Sequence, residues 1–287
     1  VFAVVKAHDI RHFLIAGGND SMDTGYKVAR MAQDRGYELR VIGVPKTVDN
    51  DIVETDHCPG YPSVARWLAI AVRDAGLDTE AIYTSDTVKV VETMGRDTGW
   101  VTAATALARE NEDDAPHLVY LPERPFAEER FLDDVERVYS RLGYCVIAAC
   151  EGLKDEEGKI LVESSAAVDS DAFGHAQRGG VGQHLCDLIA RNLKIKARAD
   201  KPGTIQRVSM LSASRVDIEE AYMVGQKAVE YSLAGESGRM VGIARGESSG
   251  TLVPDDGSGY SSAAKLVEFE RVANSTRRVP DNFINPD

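Results

Sequence analysis

Short apolar runs alternate along the chain with stretches in which apolar residues recur every three or four positions. HFLIAGG (12–18) reads as a buried strand, and the helix after it, capped by Asp20 or Ser21, aligns Met22, Gly25, Ala29 and Ala32 before Gly36 stops it. LRVIGVP is the next strand, followed by a polar loop over 45–60 and a helix through SVARWLAIAVRDAG. TVKVVETM, HLVYLPE and YCVIAACEG read as further strands. They are separated by helices over TGWVTAATALARE, with Trp100, Ala104 and Leu107 aligned, and over RFLDDVERVYSRLG.

After a polar, irregular stretch over 152–178, VGQHLCDLIARNL resumes a helix. Asp217 with Glu220 then has the spacing of a capping box, and the helix it opens aligns Ile218, Ala221, Gly225, Ala228 and Ser232. RMVGIAR closes the pattern as a strand, and the signals from 246 onward are mixed. Alternation of strand and helix at this pitch predicts an α/β fold with a parallel sheet covered on both faces. In such sheets ligands bind at the loops beyond the carboxyl ends of the strands. The chemistry is therefore expected at 17–21, 45–51, 94–96 and 151.

With 287 residues the chain is long enough for a full core and for more than one domain. A net charge of −13 argues against nucleic acid or an anionic membrane as a general partner. No apolar run approaches the ~18 residues of a membrane span. Cys58, Cys145, Cys150 and Cys186 form no C-x-x-C pair, and they read as buried thiols of a reducing, cytoplasmic protein.

Two stretches carry candidate chemistry. In GVPKTVDNDI (43–52) the carboxylates Asp49 and Asp51 lie two apart in a loop beyond a strand, just after Lys46 and Thr47. Such a set is read either as a solvated polar turn or as the parts of a phosphoryl-transfer site: a base for the attacking hydroxyl and cations on the phosphate oxygens, commonly with magnesium. In VVETMGRDTGW (90–100) a glycine after a strand allows close backbone approach to a ligand, and Arg96 is placed to neutralise a phosphoryl group or to sit on the surface at a helix start.

These stretches acquire a common meaning from their order. GGNDS, PKTVDNDI, MGRDTGW and LPERPF, with TDHCPGYPSVARW, GYCVIAACEG, DAFGHAQRGGVG and GQKAVEYSLAGESGRMVGIAR, occur in the order and spacing of the phosphofructokinase family. The chain most resembles its pyrophosphate-dependent members, and the resemblance covers nearly the whole sequence. It implies two Rossmann-like parallel-sheet domains facing each other across a cleft: a phosphoryl-donor domain over 1–115, a sugar-phosphate domain over 116–245 and a C-terminal segment over 246–287. It also implies an incomplete N-terminus, because the glycine-rich first loop of the G-G-x-x-P-G-x-N kind would lie upstream of Val1, and an early C-terminal end.

The implied reaction is reversible transfer of a phosphoryl group from pyrophosphate to the 1-hydroxyl of fructose 6-phosphate, a step of glycolysis and gluconeogenesis. The alternatives are an ATP-dependent 6-phosphofructokinase and a non-catalytic sugar-phosphate-binding or assembly subunit. Asp49 would be the base, Arg96 the transition-state cation and Lys46 a further catalytic cation. Gly17, Gly18, Asn19, Asp20, Ser21, Lys46 and Thr47 would bind the donor. Thr47, Asp49, Asp51, Met94, Gly95, Arg96, Glu151, Arg198 and Arg207 would bind the substrate.

ATP-using members carry glycine where this chain has Asp20, and often where it has Lys46, so the pair resembles a filter against ATP and for pyrophosphate. Asn19 stands where many members have a metal-binding aspartate, which leaves Mg2+ to Asp20, Asp49, Asp51 or the diphosphate itself. For the 6-phosphate, GHAQRGG (174–180) matches a family segment, with His175 and Arg178 as second choices. KARADKPGTIQR (196–207) has the better spacing and points to Arg207, with Arg198 lent between subunits of a homo-oligomer, a dimer or larger. Thr204 then replaces a histidine, and Thr87 replaces an interface arginine, with Lys89 the nearest cation.

Overall fold

A computed structural model describes residues 1–162, 180–246, 251–253 and 259–285. His175 and Arg178 lie outside the described residues. The helices are α1 (Phe2–Ala7), α2 (Asn19–Asp34), α3 (Tyr61–Ala81), α4 (Trp100–Ala103), α5 (Glu128–Leu142), α6 (Val181–Asn192), α7 (Arg215–Leu233) and α8 (Phe269–Val272). The strands are β1 (His12–Gly17), β2 (Arg40–Pro45), β3 (Val88–Thr93), β4 (Leu118–Tyr120), β5 (Cys145–Cys150), β6 (Ala197–Asp200), β7 (Arg239–Arg245), β8 (Thr251–Val253) and β9 (Ser262–Glu268).

The chain gathers into two compact units, each built from two segments: residues 1–62 with 214–277, and residues 63–213 with 278–287. The limits expected at 115/116 and 245/246 fall inside these units. Local periodicity marks where elements begin and end, but it does not mark which sheet a later strand returns to.

The first unit holds a sheet in the order β1-β2-β7-β9-β8. β1, β2 and β7 are parallel, while β9 and β8 join antiparallel. The mixed signals after 246 therefore conceal two strands. On one side Met22, Val28 and Ala32 of α2 pack with Val41, Met240, Val267 and Phe269. Val224 and Ala228 of α7 pack with Ile42, Val241 and Ile243. Burying these twelve side chains is the main favourable contribution, at ~25 cal/mol per Å2 of apolar surface removed from water.

The second unit has a wholly parallel sheet, β4-β5-β3-β6. β3 and β5 are buried along their entire length, as strands covered on both faces must be. α5 contributes Phe131, Val135 and Val138 to its core, and α6 contributes Leu185, Leu188 and Ile189. Cys145, Cys150 and Cys186 lie in this core, and all four cysteines are free and buried.

Three local expectations are corrected. α2 begins at Asn19 with Gly18 as its N-cap and no side-chain cap, so neither Asp20 nor Ser21 caps it. α7 is capped by Ser214, whose hydroxyl accepts from the Asp217 amide; Asp217 and Glu220 are both buried and hold other partners. The helix expected over 98–110 is one α-turn followed by a 3-10 stretch, and Leu107 is exposed. Its buried side chains are Val101, Thr102, Ala104, Thr105 and Ala108, a set that includes two threonines and does not match the expected face.

Candidate functional site

In the first unit, parallel pairing of β1 with β2 puts Gly17 opposite Pro45. The turns that leave the two strands must therefore emerge side by side. The Lys46 amide donates to the Gly17 carbonyl at 2.9 Å. Gly17 sits against Ser21 so closely that a Cβ there would lie 2.0 Å from Ser21 Oγ. A tight turn then opens α2 with its first amides unclaimed by a side chain, which suits an anion.

Asn19 Nδ2 reaches across to Asp51, donating to Oδ2 at 2.7 Å and to the carbonyl at 3.3 Å. The glycine turn and the PKTVDNDI loop are thus joined directly. Asp20 and Lys46 are both exposed. Thr47 is buried, and its hydroxyl oxygen accepts from the Asp49 amide at 3.1 Å. Between the two carboxylates Asn50 is buried, takes a left-handed conformation (φ 56°) and accepts the Cys58 amide on Oδ1 at 2.9 Å. Asparagine is one of the few non-glycine residues that enters this region without a large penalty.

Two further side chains secure this loop. Arg277 donates from Nε to the Asn50 carbonyl and from Nη1 to the carbonyls of Thr55 and Asp56. His57 is buried between Asp56 (2.9 Å) and Glu220 of α7 (2.7 Å), and Glu220 also accepts from Tyr260. Burial pulls the His57 pKa down, but the hydrogen bonds to Asp56 and Glu220 outweigh it and raise it to about 9. Asp56 is lowered to about 2, chiefly by its hydrogen bond with His57.

The second unit brings its own group together. β3 and β5 run parallel with Thr93 opposite Cys150, and the Glu151 amide donates to the Thr93 carbonyl at 2.9 Å. Met94 and Glu151 therefore leave adjacent strands at the same end of the sheet. Gly95 has φ 146°, and a Cβ on it would lie 2.5 Å from the Thr98 carbonyl oxygen. This turn presents Arg96 in an exposed position. A third element arrives after β6: Gln206, buried in the 3-10 turn Gly203–Arg207, accepts the Met94 amide at 3.2 Å and donates to the Gly203 carbonyl at 3.0 Å. Arg207, next in sequence, is exposed.

Arg198 does not join this group. It lies on β6 opposite Lys89 and pairs with Asp86 at 3.0 Å, toward the other end of the strand. Lys89 is held by Asp78 (2.9 Å) and Asp200 (3.4 Å), and Thr87 donates to the Lys196 carbonyl.

Among the described residues no three His, Cys, Asp or Glu side chains form a cluster able to hold a metal ion. Asp51 is committed to Asn19, and Asp20 is exposed at the helix start. Asn19 Oδ1, by contrast, is buried with no hydrogen-bond partner.

Sequence reasoning missed Arg277, His57, Glu220 and Gln206. The first three act from afar on a loop, and nothing in their local sequence signals it. Gln206 lies inside GTIQR, directly before the arginine for which that segment stands out. Among the described residues no helix is long and apolar enough to cross a membrane.

The phosphofructokinase family model matches residues 1–232. A pyrophosphate–fructose 6-phosphate 1-phosphotransferase from Xanthomonas campestris is 41% identical over 285 residues, covering 99% of this chain and 66% of the relative. A sulfofructose kinase from Alkalicoccus urumqiensis is 33% identical over 283 residues, covering 98% of the chain and 70% of that protein. The crystal structure of a pyrophosphate-dependent phosphofructokinase from Marinobacter aquaeolei superposes with a TM-score of 0.82 at 36% identity, over 99% of this chain and 65% of that one. The chain thus spans about two thirds of the length of these proteins. On this match and on its own motifs, the chain belongs to the phosphofructokinase family.

Proposed function

We propose that the protein transfers a phosphoryl group from pyrophosphate to the 1-hydroxyl of fructose 6-phosphate, reversibly. The observation that carries this reading is the joining of the glycine turn to the Asp49–Asp51 loop through Lys46, Gly17, Asn19 and Asp51, with Asp20 and Lys46 exposed at the join. In the first unit, Gly17, Gly18, Asn19, Asp20, Ser21, Lys46 and Thr47 hold the diphosphate, and Asp49 takes the proton of the attacking hydroxyl. The charge of Asp20 repels a third phosphate, and Lys46 meets pyrophosphate oxygens. In the second unit, Met94, Gly95, Glu151 and Arg207 hold the sugar phosphate, and Arg96 stabilises the charge that develops on the transferred group. Arg198, exposed on β6, is lent to a second copy in a homo-oligomer.

Magnesium keeps several waters and is bound by one or two protein oxygens together with substrate phosphates. The partnerless Asn19 Oδ1 and the adjacent Asp51 fit that modest demand, with Asp49 and Asp20 as further carboxylates. When bound, the ion would offset charge on the phosphate oxygens.

The test is an assay of fructose 6-phosphate phosphorylation with magnesium and either pyrophosphate or ATP, with sulfofructose as a second acceptor. Turnover with pyrophosphate and fructose 6-phosphate alone is expected. Preference for ATP would overturn the donor assignment, and preference for sulfofructose the acceptor. Binding of fructose 6-phosphate without turnover would favour a binding subunit.

A further inference from the structure

The loop that carries Asp49 and Asp51 is irregular, and its centre, Asn50, holds a left-handed backbone. Such a loop presents two carboxylates in a fixed direction only if its backbone carbonyls are tied. Asn19 Nδ2 donates to the Asp51 carbonyl at 3.3 Å, and the other ties come from one residue far away in sequence. Arg277 donates from Nε to the Asn50 carbonyl (3.1 Å), from Nη1 to the Thr55 carbonyl (2.8 Å), and from Nη1 also to the Asp56 carbonyl. Its own backbone amide donates to the Asp51 carbonyl at 2.7 Å.

Four carbonyls of residues 50–56 are thereby gathered around one guanidinium and its peptide. The planar fork makes this possible: its donors point in fixed, diverging directions, whereas a lysine ammonium is a compact point charge on a flexible stem. From the other side Asn19 fixes Asp51, and Asn50 Oδ1 fixes the Cys58 amide. The loop is held at both flanks, and the Arg277 side is the one that controls the peptide between the two carboxylates.

We propose that Arg277 is a positioning residue for phosphoryl transfer, setting the direction of Asp49 and Asp51 through the Asn50 peptide without touching either substrate. The proposal rests on the reading of Asp49 as the base. A displacement of about 1 Å at a reacting group is enough to lower a rate about 100-fold, and binding of intact substrates through other residues is little affected. Loss of the clamp therefore shows in kcat and leaves KM nearly unchanged.

The experiment compares Arg277→Lys, Arg277→Ala and Asp49→Asn with the parent protein in kinetics with pyrophosphate and fructose 6-phosphate, and in amide hydrogen exchange without substrates. Arg277→Lys is expected to lower kcat about 100-fold with both KM values within about 3-fold. Arg277→Ala is expected to fall at least as far and to recover 10-fold or more in millimolar guanidinium, which re-supplies the planar donor; Arg277→Lys does not recover. Exchange quickens over 47–58 and nowhere else in the first unit.

Unchanged kcat with unchanged exchange would overturn the proposal. Faster exchange throughout the first unit would overturn it too, by making Arg277 a general support of the fold. Retained activity in Asp49→Asn removes the catalytic reading on its own. The exchange result still decides whether Arg277 holds the loop.

Discussion

On the proposed function, the donor choice rests on two side chains at the glycine turn, Asp20 and Lys46. Asp20 is exposed at the first turn of α2, where amides and the helix dipole favour an anion. On the proposed function a carboxylate there takes the space and charge that a longer polyphosphate would need, and Lys46, whose amide donates to the Gly17 carbonyl, follows β2 beside it. Asp20→Gly combined with Lys46→Gly is therefore expected to raise kcat/KM for ATP and to lower it for pyrophosphate, each by 10-fold or more, a shift of about 1.4 kcal/mol per decade. Steady-state kinetics with both donors checks this, and unchanged selectivity would discard the filter. Gly95 is a second position with a sharp expectation. Its φ of 146° and the 2.5 Å approach of Thr98 O to any Cβ leave no room for alanine without moving the turn that bears Arg96. Gly95→Ala should cost at least ~100-fold in kcat/KM and lower the melting temperature, because alanine is strained at this φ; near-parent kinetics in the folded variant would show that Arg96 does not depend on this turn.

At the scale of elements, the 45–60 loop is attached to α7 by a charged cluster in which His57 and Glu220 are buried and Asp56 is half-buried. His57 joins Asp56 to Glu220, and its pKa is raised to about 9 while that of Asp56 is lowered to about 2. For a group whose folded pKa is raised, the stabilisation is complete below the unfolded value near 6.5 and is lost as pH climbs through 9. For Asp56 it is present above its ordinary value of 3.8 and lost as pH falls toward 2. The shared contribution, about 3 kcal/mol from the size of the histidine shift, is therefore greatest between roughly pH 4 and 6.5. His57→Gln should lower the melting temperature strongly at pH 5.5 and much less at pH 9.5. A gap that stays constant with pH would mean that the histidine is held by packing alone. Much at this scale is legible in the sequence. Strands β1, β2, β3, β5 and β7 are evident from their apolar runs, and the site turns from the glycine and polar residues directly after those runs. The tie through His57 is not, because a histidine and a glutamate 163 positions apart share no local pattern. The Asp217–Glu220 spacing reads as a cap for the same reason: periodicity sees the helix start but not the loop that reaches back to claim both carboxylates.

At the scale of the whole chain, the sequence pattern is local and the units are not. β7, β9 and β8 follow all four strands of the second sheet in sequence, yet they complete the sheet begun by β1 and β2. Phe269 and Met240, both buried, close the core around Met22 and Val41. A reading that divides the chain at 115 and 245 assigns these strands elsewhere, since nothing in RMVGIAR says which sheet it joins. The arrangement has a consequence for truncation. A chain ending at Ala213 keeps every strand of the second sheet but removes β7, β9, β8 and α7 from the first. β2 then loses its parallel partner β7, and the buried faces of α2 and β2 lose Met240, Val267 and Phe269. Loss of one large buried side chain costs on the order of 2–5 kcal/mol, and whole domains are stable by only about 5–15 kcal/mol, so the first sheet cannot survive losing all of them. Amides of β1 and β2 in the truncated chain are expected to exchange at unfolded rates while those of β3 and β5 stay protected. Protection of β1 and β2 to the level of the intact chain would mean that the first 62 residues form a self-sufficient unit, and the account of the fold given by the late strands would have to be withdrawn.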